Sequence, residues 1–248
     1  TLKSRIAQIE VLPGRPRENT DTILKHIHDA IQDGIELIAF PEMAVPGYLL
    51  GDAWEHQAFL RQCEACGHEI REASQGIIVT FGNVAMDGSR RNEDGRVRKY
   101  NAIFVADNGH FISPQNSPYP FGIKSLMPNY RQFDDSRHFF DLRKLAFEEH
   151  CSIDHLLKPF HTSKAVLGCV LCEDAWDLDY AISPLAILAA HPEIDLFINA
   201  SASPFTLNKN HKRNRVFAAH ARKLDRPLLY VNKVGIQNNG KTVFTFDG

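Results

Sequence analysis

The chain has 248 residues, 44% of them hydrophobic and 23% charged, which is the balance of an ordinary globular protein. Its formal net charge of −2 gives no reason to expect a nucleic-acid partner or an anionic membrane surface as partner. No apolar stretch approaches the roughly 20 residues of a membrane helix, and five cysteines, an odd count in a chain of this size, favour reduced thiols and a cytoplasmic location.

Taken in chain order, the first part alternates β-rich runs with amphipathic helical stretches. The predicted strands are 3–11, 35–40, 76–85, 97–106 and 110–112. The predicted helices run from an N-cap at Asn19 to Gly34 and over 52–73. Periodicity stops between 113 and 137, where prolines and aromatic residues accumulate, and an irregular stretch of this length indicates a functional loop.

The same alternation continues to the end of the chain. A helical insertion is predicted at 141–157, followed by helices at 179–190 and 209–224. The remaining predicted strands are 164–171, 195–201, 227–235 and 241–246. Strands alternating with helices indicate an α/β fold, and we expect residues 1–248 to form a single domain. Because the last predicted strand is followed by only two residues, this domain is compatible with the N-terminal part of a longer chain.

Two Cys-x-x-Cys pairs, Cys63/Cys66 and Cys169/Cys172, resemble a zinc pattern at first sight. The first pair lies in a predicted helix, where residues three apart share a face, and the second lies on a strand, where they point to opposite faces. A redox pair would need its motif at the start of a helix, whereas the second pair ends a strand. We therefore expect no metal, and we interpret Cys63, Cys66, Cys151 and Cys169 as small buried hydrophobic residues.

Cys172 differs because the apolar run VLGCVL ends at it and Glu173 and Asp174 follow at once. The carboxyl end of a strand in an α/β sheet is where reacting groups are presented. A sharp turn there exposes the thiol and directs the next backbone N–H groups the same way, as a nucleophile requires. A thiol of ordinary pKa needs a base and a stabilising charge to act at neutral pH.

Two residues could supply these functions. Glu42 ends the apolar strand 35–40, where partial desolvation would suit a carboxylate to accept a proton. Lys124 lies in the irregular aromatic loop, and an ammonium in a dry pocket can stabilise an anionic intermediate. Taken singly, each is more simply explained as a solvated loop residue.

The segments FPEMAVPGY, KSLMPNYRQFDD and CEDAW occur in this order, about 80 and 50 residues apart. Together they resemble the Glu-Lys-Cys signature of the nitrilase superfamily of carbon–nitrogen hydrolases. The resemblance is closest to the glutaminase domain of glutamine-dependent NAD synthetases, which SASPF at 201–205 and VNKVG…FDG at 231–248 also match. It covers the chain except 141–160, an insertion longer than the corresponding connection in the family.

The resemblance implies a four-layer α/β/β/α sandwich and a catalytic triad. By this comparison Glu42 is the general base, Lys124 stabilises the transition state and Cys172 is the nucleophile. The backbone N–H of Glu173 would complete the oxyanion hole.

Further positions in the family hold the substrate. Here they are occupied by Tyr130, Phe133, Ser203 and the basic residue Lys209. Asp135 stands where the family usually has Glu, one methylene longer, which orients the catalytic lysine.

The resemblance implies hydrolysis of a small amide, glutamine in the first place, through a thioester and without metal or organic cofactor. ATP and deamido-NAD would enter only with an attached synthetase domain, which would accept the ammonia, and a homo-oligomer is expected. Two alternatives stay open: a stand-alone amidase, nitrilase or carbamoylase with another substrate, and a catalytically idle partner domain.

Overall fold

The first of two facing β-sheets takes its strands from the first half of the chain. The computed structural model describes residues 1–238 and 242–248. In spatial order the sheet contains β1 (Ser4–Ile6), β2 (Leu37–Ala39), β3 (Ile78–Arg91), β4 (Val97–Asp107) and β5 (His110–Phe111), and β6 (Gly122–Ile123) pairs with β4. β1, β2 and β3 are parallel, whereas β3 and β4 form a long antiparallel hairpin.

The second sheet comes from the second half of the chain. Its spatial order is β10 (Leu228–Asn232), β9 (Leu196–Ser201), β8 (Val166–Leu171) and β7 (Phe160–His161). β8, β9 and β10 are parallel and β7 is antiparallel. A separate two-stranded ribbon is formed by β11 (Val234–Asn238) and β12 (Val243–Asp247).

The alternation of side chains along each strand shows that the two sheets pack face to face. On β2, Leu37 and Ala39 belong to the core between the sheets, whereas Ile38 belongs to the core beneath the helices. On β8, Cys169 lies between the sheets and Val170 on the opposite face. Both faces of each sheet are therefore apolar, which explains the continuous apolar runs in the sequence.

Helices cover the two outer faces. α1 (Pro16–Gln32) and α2 (Gln57–Glu72) pack against each other, and α2 contacts β3 of the first sheet. α5 (Pro184–Ala189) contacts β8, and α6 (Lys209–Leu224) contacts β10 of the second sheet. The order helix, sheet, sheet, helix confirms the predicted α/β/β/α sandwich.

The predicted insertion at 141–157 contains one short helix, α4 (Leu142–Glu148), and a 3-10 turn at Ile153–His155. Another short helix, α3 (Asp135–His138), lies at the end of the irregular stretch 113–137. Glu148 of α4 accepts a hydrogen bond of 2.6 Å from Arg98 of β4, which attaches the insertion to the first sheet.

Several predicted boundaries were wrong. Asn19 is not an N-cap, because α1 already begins at Pro16, and its buried amide instead bonds the backbone of Leu12 and Val45. The helix predicted at 179–190 begins only at Pro184, where a proline suits the first turn. The first strand is short: β1 ends at Ile6, and the predicted 3–11 continues only as an isolated bridge at Glu10.

The strand predicted at 227–235 is two strands in different sheets, divided at Lys233. The hydrophobic pattern does not reveal this division, because residues on both sides of it are apolar. The strand predicted at 241–246 is β12; residue 241 lies outside the described residues.

The cysteines follow the prediction with one exception. Cys63 and Cys66 are buried beneath the helices and Cys169 between the sheets, so the two Cys-x-x-Cys pairs lie in different parts of the molecule. Cys151 is only half-buried, because it follows α4 in the surface insertion. None of the helices in 1–238 and 242–248 is long and apolar enough to cross a membrane.

Gly168 on β8 provides a test of the packing between β8 and β9. A Cβ atom there would lie 2.7 Å from Phe197, which is fully buried and cannot move aside. We expect Gly168→Ala to lower the free energy of unfolding by about 1–3 kcal/mol, as overpacking does. Gly88→Ala is the control, since a Cβ at Gly88 meets nothing within 4 Å. Urea denaturation measures both, and equal midpoints would contradict the packing described here.

Candidate active site

Glu42 lies in the loop after β2, three residues beyond its end at Ala39, and is completely buried. Its Oε1 accepts hydrogen bonds from Asn101 Nδ2 at 2.8 Å and from Lys124 Nζ at 2.7 Å. Its Oε2 accepts from the backbone N–H of Ala202 at 2.9 Å. Three donors from three separate segments therefore hold this carboxylate in one orientation.

The loop that carries Glu42 lies directly on β3, and a glycine makes this approach possible. The backbone N–H of Gly82 donates to the carbonyl of Pro41 at 3.0 Å, and its carbonyl accepts from Val45 at 3.3 Å. A Cβ at Gly82 would lie 2.2 Å from the backbone nitrogen of Met43. Only glycine permits two backbones to come this close.

Lys124 follows β6 and is also completely buried. Its ammonium lies between two carboxylates, 2.7 Å from Glu42 Oε1 and 3.0 Å from Asp135 Oδ2. Burial opposes its charge, but Asp135 and Glu42 together raise the pKa of Lys124 well above its ordinary value. The side chain is therefore a permanent cation at physiological pH.

Asp135 is the first residue of α3 and reaches Lys124 although it is one methylene shorter than glutamate. Its second oxygen accepts a hydrogen bond of 2.5 Å from the hydroxyl of Tyr48. Burial, followed by the charge of Asp135, raises the pKa of Tyr48 well above its usual value, so the phenol stays a donor.

Cys172 is placed by a sharp turn at the end of β8. It has a positive φ of 41° and begins the 3-10 turn Cys172–Ala175, whose first N–H groups have no acceptor within the turn. The residue is 9% exposed. Burial first, and Glu42 second, raise the pKa of the Cys172 thiol, against the opposing effect of Lys124. The resting sulfur is thus a neutral thiol within the electrostatic range of both residues.

Asp174 joins the turn of Cys172 to the loop of Lys124. Its Oδ1 accepts from the backbone N–H groups of Ser125 at 3.0 Å and Leu126 at 2.8 Å. Its Oδ2 accepts from the N–H of Leu171 at 3.0 Å. One buried carboxylate therefore fixes Leu171, the residue before Cys172, relative to Ser125, the residue after Lys124.

A cleft of about 740 Å³ opens beside Cys172. The predicted site residues that line it, together with Tyr48, are Tyr130, Phe133, Cys172, Glu173, Ser203 and Lys209. The other three predicted residues, Glu42, Lys124 and Asp135, lie behind this lining and are at most 2% exposed. The structure thus brings all nine predicted residues to one place, in an inner charged group and an outer lining.

The lining carries both signs of charge. Glu173 accepts hydrogen bonds from Tyr130 at 3.0 Å and Tyr180 at 2.9 Å. Burial lowers the pKa of Lys209, whose Nζ lies 5.8 Å from the centre of the Trp176 ring. No group of three or more His, Cys, Asp or Glu side chains in the described part of the chain could hold a metal ion.

A buried Glu–Lys pair behind a thiol at the end of a strand, on an α/β/β/α sandwich, is the arrangement expected from the motifs of the carbon–nitrogen hydrolases. The carbon–nitrogen hydrolase family model matches residues 5–245, so the chain belongs to the carbon–nitrogen hydrolase family. It is a carbon–nitrogen hydrolase domain of the nitrilase superfamily, as the sequence motifs predicted.

Curated relatives with this domain are glutamine-dependent NAD(+) synthetases. That of Xanthomonas campestris pv. campestris is 30% identical over 251 residues, covering all of this chain and 39% of the relative. That of Synechocystis sp. is 25% identical, covering 98% of this chain and 40% of the relative. The chain therefore spans about two fifths of the length of the relatives it matches.

Solved structures share the fold. The glutamine-dependent NAD+ synthetase of Acinetobacter baumannii superposes with a TM-score of 0.78 at 24% identity, covering all of this chain and 40% of that one. An amidase from Nesterenkonia sp. superposes with a TM-score of 0.73 at 17% identity, covering all of this chain and 80% of that one.

Four residues around the inner charged group were not identified from the sequence: Tyr48, Asn101, Asp174 and Lys233. Tyr48, Asp174 and Lys233 lie within the motif segments FPEMAVPGY, CEDAW and VNKVG, so their positions were available as a signal. Asn101 lies on β4, and only the pairing of strands places it beside Glu42.

Asp174→Asn tests the connection between the two loops. The amide keeps one accepting oxygen but replaces the other with an NH₂ group that cannot accept from Leu171. We expect kcat to fall by about 10-fold or more, because catalytic groups are sensitive to displacements of about 1 Å. Asp195→Asn is the control: Asp195 accepts a single backbone bond at the opposite end of β8. Equal activity of both variants would contradict this role of Asp174.

The raised pKa of Cys172 predicts slow alkylation of the resting thiol. In a Cys151→Ser background, iodoacetamide should modify Cys172 at pH 7.5 more slowly than free cysteine, with a rate still rising above pH 9. Mass spectrometry after timed quenching measures the rate at each pH. An apparent pKa below the ordinary value of about 8.5 would show a resting thiolate instead.

Proposed function

We propose that this chain hydrolyses glutamine to glutamate and ammonia through a thioester on Cys172. The observation that carries the proposal is the buried ion pair of Lys124 with Glu42, 2.7 Å apart, whose charges act on the neutral thiol of Cys172. The glutamine dependence printed in the names of the curated relatives supports this choice of substrate.

In the first half of the reaction, Glu42 accepts the thiol proton as Sγ attacks the side-chain carbonyl carbon of glutamine. The carboxylate is suited to this step because three hydrogen bonds already hold its orientation. The oxyanion that forms is stabilised by the Lys124 ammonium and by the backbone N–H of Glu173. A neutral resting thiol makes the base obligatory, since little thiolate is present beforehand.

The leaving amine then takes the proton from Glu42 and departs as ammonia, and the C–N bond breaks. A water molecule, deprotonated by the same carboxylate, attacks the thioester carbonyl. When the second tetrahedral intermediate collapses, the C–S bond breaks and Cys172 recovers its proton. Each proton thus passes through Glu42, while Lys124 stays charged throughout.

The two charges of the cleft lining suit an amino acid. Lys209 would pair with the α-carboxylate and Glu173 with the α-ammonium, and Tyr130, Phe133 and Ser203 would enclose the side chain. Asp135 would contribute from behind the lining, by orienting Lys124.

The mechanism uses only residues of this chain, and we propose that it requires no metal or organic cofactor. ATP and deamido-NAD would be needed only by an attached synthetase domain that accepts the ammonia. This domain would form the N-terminal part of such an enzyme, in a cytoplasmic homo-oligomer.

One observation favours a second candidate, an amidase acting on another substrate. The cleft of about 740 Å³ is larger than glutamine alone requires, and ligand pockets of this size take drug-sized molecules. A panel of amides and nitriles compared with glutamine by kcat/KM distinguishes the two functions. Glutamine should give the highest value, and a clear preference for a larger amide would favour the second.

The nucleophile is tested by mass spectrometry of the protein quenched during turnover. We expect a γ-glutamyl adduct on Cys172 and no turnover by Cys172→Ala. Glu42→Gln and Lys124→Met should each lower kcat at least about 10²–10³-fold. Glu72→Gln, at an exposed position of α2, is the control and should keep full activity. Residual amidase activity of Cys172→Ala, or absence of any adduct in a folded protein, would exclude the mechanism.

A further inference from the structure

Lys233 is a buried lysine at the point where the chain leaves one sheet for another. It separates β10 of the four-stranded sheet from β11 of the two-stranded ribbon and is 1% exposed. Its Nζ donates to Gln237 Oε1 at 2.7 Å and lies 4.0 Å from the centre of the Phe246 ring. Buried lysines are rare unless a carboxylate pairs with them, so this position requires an explanation.

Gln237 connects Lys233 to the inner charged group of the active site. Because its Oε1 accepts from Nζ, its Nε2 is directed to the carbonyl oxygen of Tyr48, to which it donates. The hydroxyl of Tyr48 donates to Asp135, and Asp135 accepts from Lys124. A continuous series of contacts therefore runs from Lys233 to the catalytic lysine.

The side chain of Asn232, the residue before Lys233, supports the other side of the same group. Its Oδ1 accepts from the N–H of Ser203 at 2.8 Å, and its Nδ2 donates to the carbonyl of Ser203 at 3.0 Å. The neighbouring Ala202 donates its N–H to Glu42. A displacement at Lys233 would thus be transmitted to both the base and the lysine.

Lys233 also differs from Lys124 in its charge. Burial lowers the pKa of Lys233 to about 7, and the charge of Glu42 opposes this effect. Among the described residues, Glu42 is the charged group that acts on the pKa of Lys233, which its negative charge raises. Its direct neighbours Gln237 and Phe246 are uncharged, so the amine can gain or lose its proton near neutral pH.

We propose that Lys233 is a positioning residue for the amide hydrolysis: through Gln237 it holds Tyr48 in place, and its amine adjusts the field at Glu42. This inference rests on the proposed function. With the proton on Lys233, the added positive charge makes Glu42 a weaker acceptor for the thiol proton. When Lys233 has lost its proton, Lys124 is the only one of these two lysines that is charged, and Glu42 accepts the thiol proton more readily.

The same charge predicts an unusual stability profile. Because folding lowers the pKa of Lys233, the folded protein binds fewer protons than the unfolded chain between about pH 7 and the ordinary lysine range. Its contribution to stability therefore rises with pH across this window. Lys233→Met removes the buried amine, so the variant should be at least as stable as the wild type at pH 6.

The experiment measures acylation of Cys172 by 4-nitrophenyl acetate, an activated ester that requires the thiol and its base but not glutamine. Rates are followed from pH 5.5 to 9 for the wild type and for Lys233→Met, Gln237→Glu and Lys25→Met. Lys25 is exposed on α1 and serves as the matched lysine control. Urea midpoints at pH 6 and pH 8 are measured for the same proteins.

We expect the wild type and Lys25→Met to show an inflection near pH 7 with a change in rate of about tenfold, the change that one pKa unit represents. Lys233→Met should lack this inflection and have a higher KM for glutamine, while its urea midpoint at pH 6 is not lowered. Gln237→Glu should move the inflection to higher pH, because a carboxylate retains the proton on Lys233.

Three results would overturn the inference. Lys233→Met could keep the wild-type profile, both variants could lower the rate equally at every pH, or activity could fall only in parallel with the urea midpoint. The proposed function fails separately, when Cys172 is acylated by the ester but forms no adduct with glutamine.

Discussion

The site depends on an ammonium that is held between two carboxylates without access to water. Lys124 has no solvent exposure, and Glu42 and Asp135 are its charged partners. Removing one partner of such a buried pair leaves an uncompensated charge, which costs about 3–5 kcal/mol. The three residues come from two separate segments, one with Glu42 and one with Lys124 and Asp135. The loops around the cleft must therefore adopt the arrangement that brings Lys124 into contact with both carboxylates.

Much of the support for this ion pair comes from backbone groups and not from side chains that touch it. The N–H of Ala202 fixes Glu42, and three N–H groups converge on Asp174 to join the loop of Lys124 to the turn of Cys172. Backbone donors keep their positions as long as the strands and turns around them are intact. The electrostatic arrangement is thus prepared before any substrate arrives, which is the condition for an oxyanion to be stabilised without reorganisation.

The strand pattern was sufficient for the α/β class, because strands covered on both faces are apolar throughout, as 35–40 and 164–171 show. The four-layer sandwich followed from the resemblance. The basic helix at 209–224 was predicted with the bounds that it has. The division at Lys233 was missed, since a strand that changes sheets keeps its hydrophobic pattern. Asn19 was misread as a cap, because its contacts to Leu12 and Val45 are tertiary.

The site was predictable in its residue types but not in its layers. A carboxylate and a thiol at the ends of strands, with an amine in an irregular loop, indicated chemistry, and the order of the motifs indicated a family. The contact of Asp135 with Lys124 was expected from the resemblance alone. The hydrogen bond that Asp135 also accepts from Tyr48 depends on α3, a helix of four residues that no periodicity reveals. No role could be assigned to Lys233 from the sequence, because its relation to Glu42 arises only where the four-stranded sheet meets the two-stranded ribbon.

Gly82 has a consequence for comparisons among distant members of the family. Its backbone bonds both sides of the loop that carries Glu42, and it has no side chain through which a role could be noticed. In a distant member, a larger residue at this position would push the loop that carries Glu42 away from β3. The position of Glu42 therefore depends on a residue that makes no side-chain contact with it, so Glu42, Lys124 and Cys172 do not by themselves fix the site.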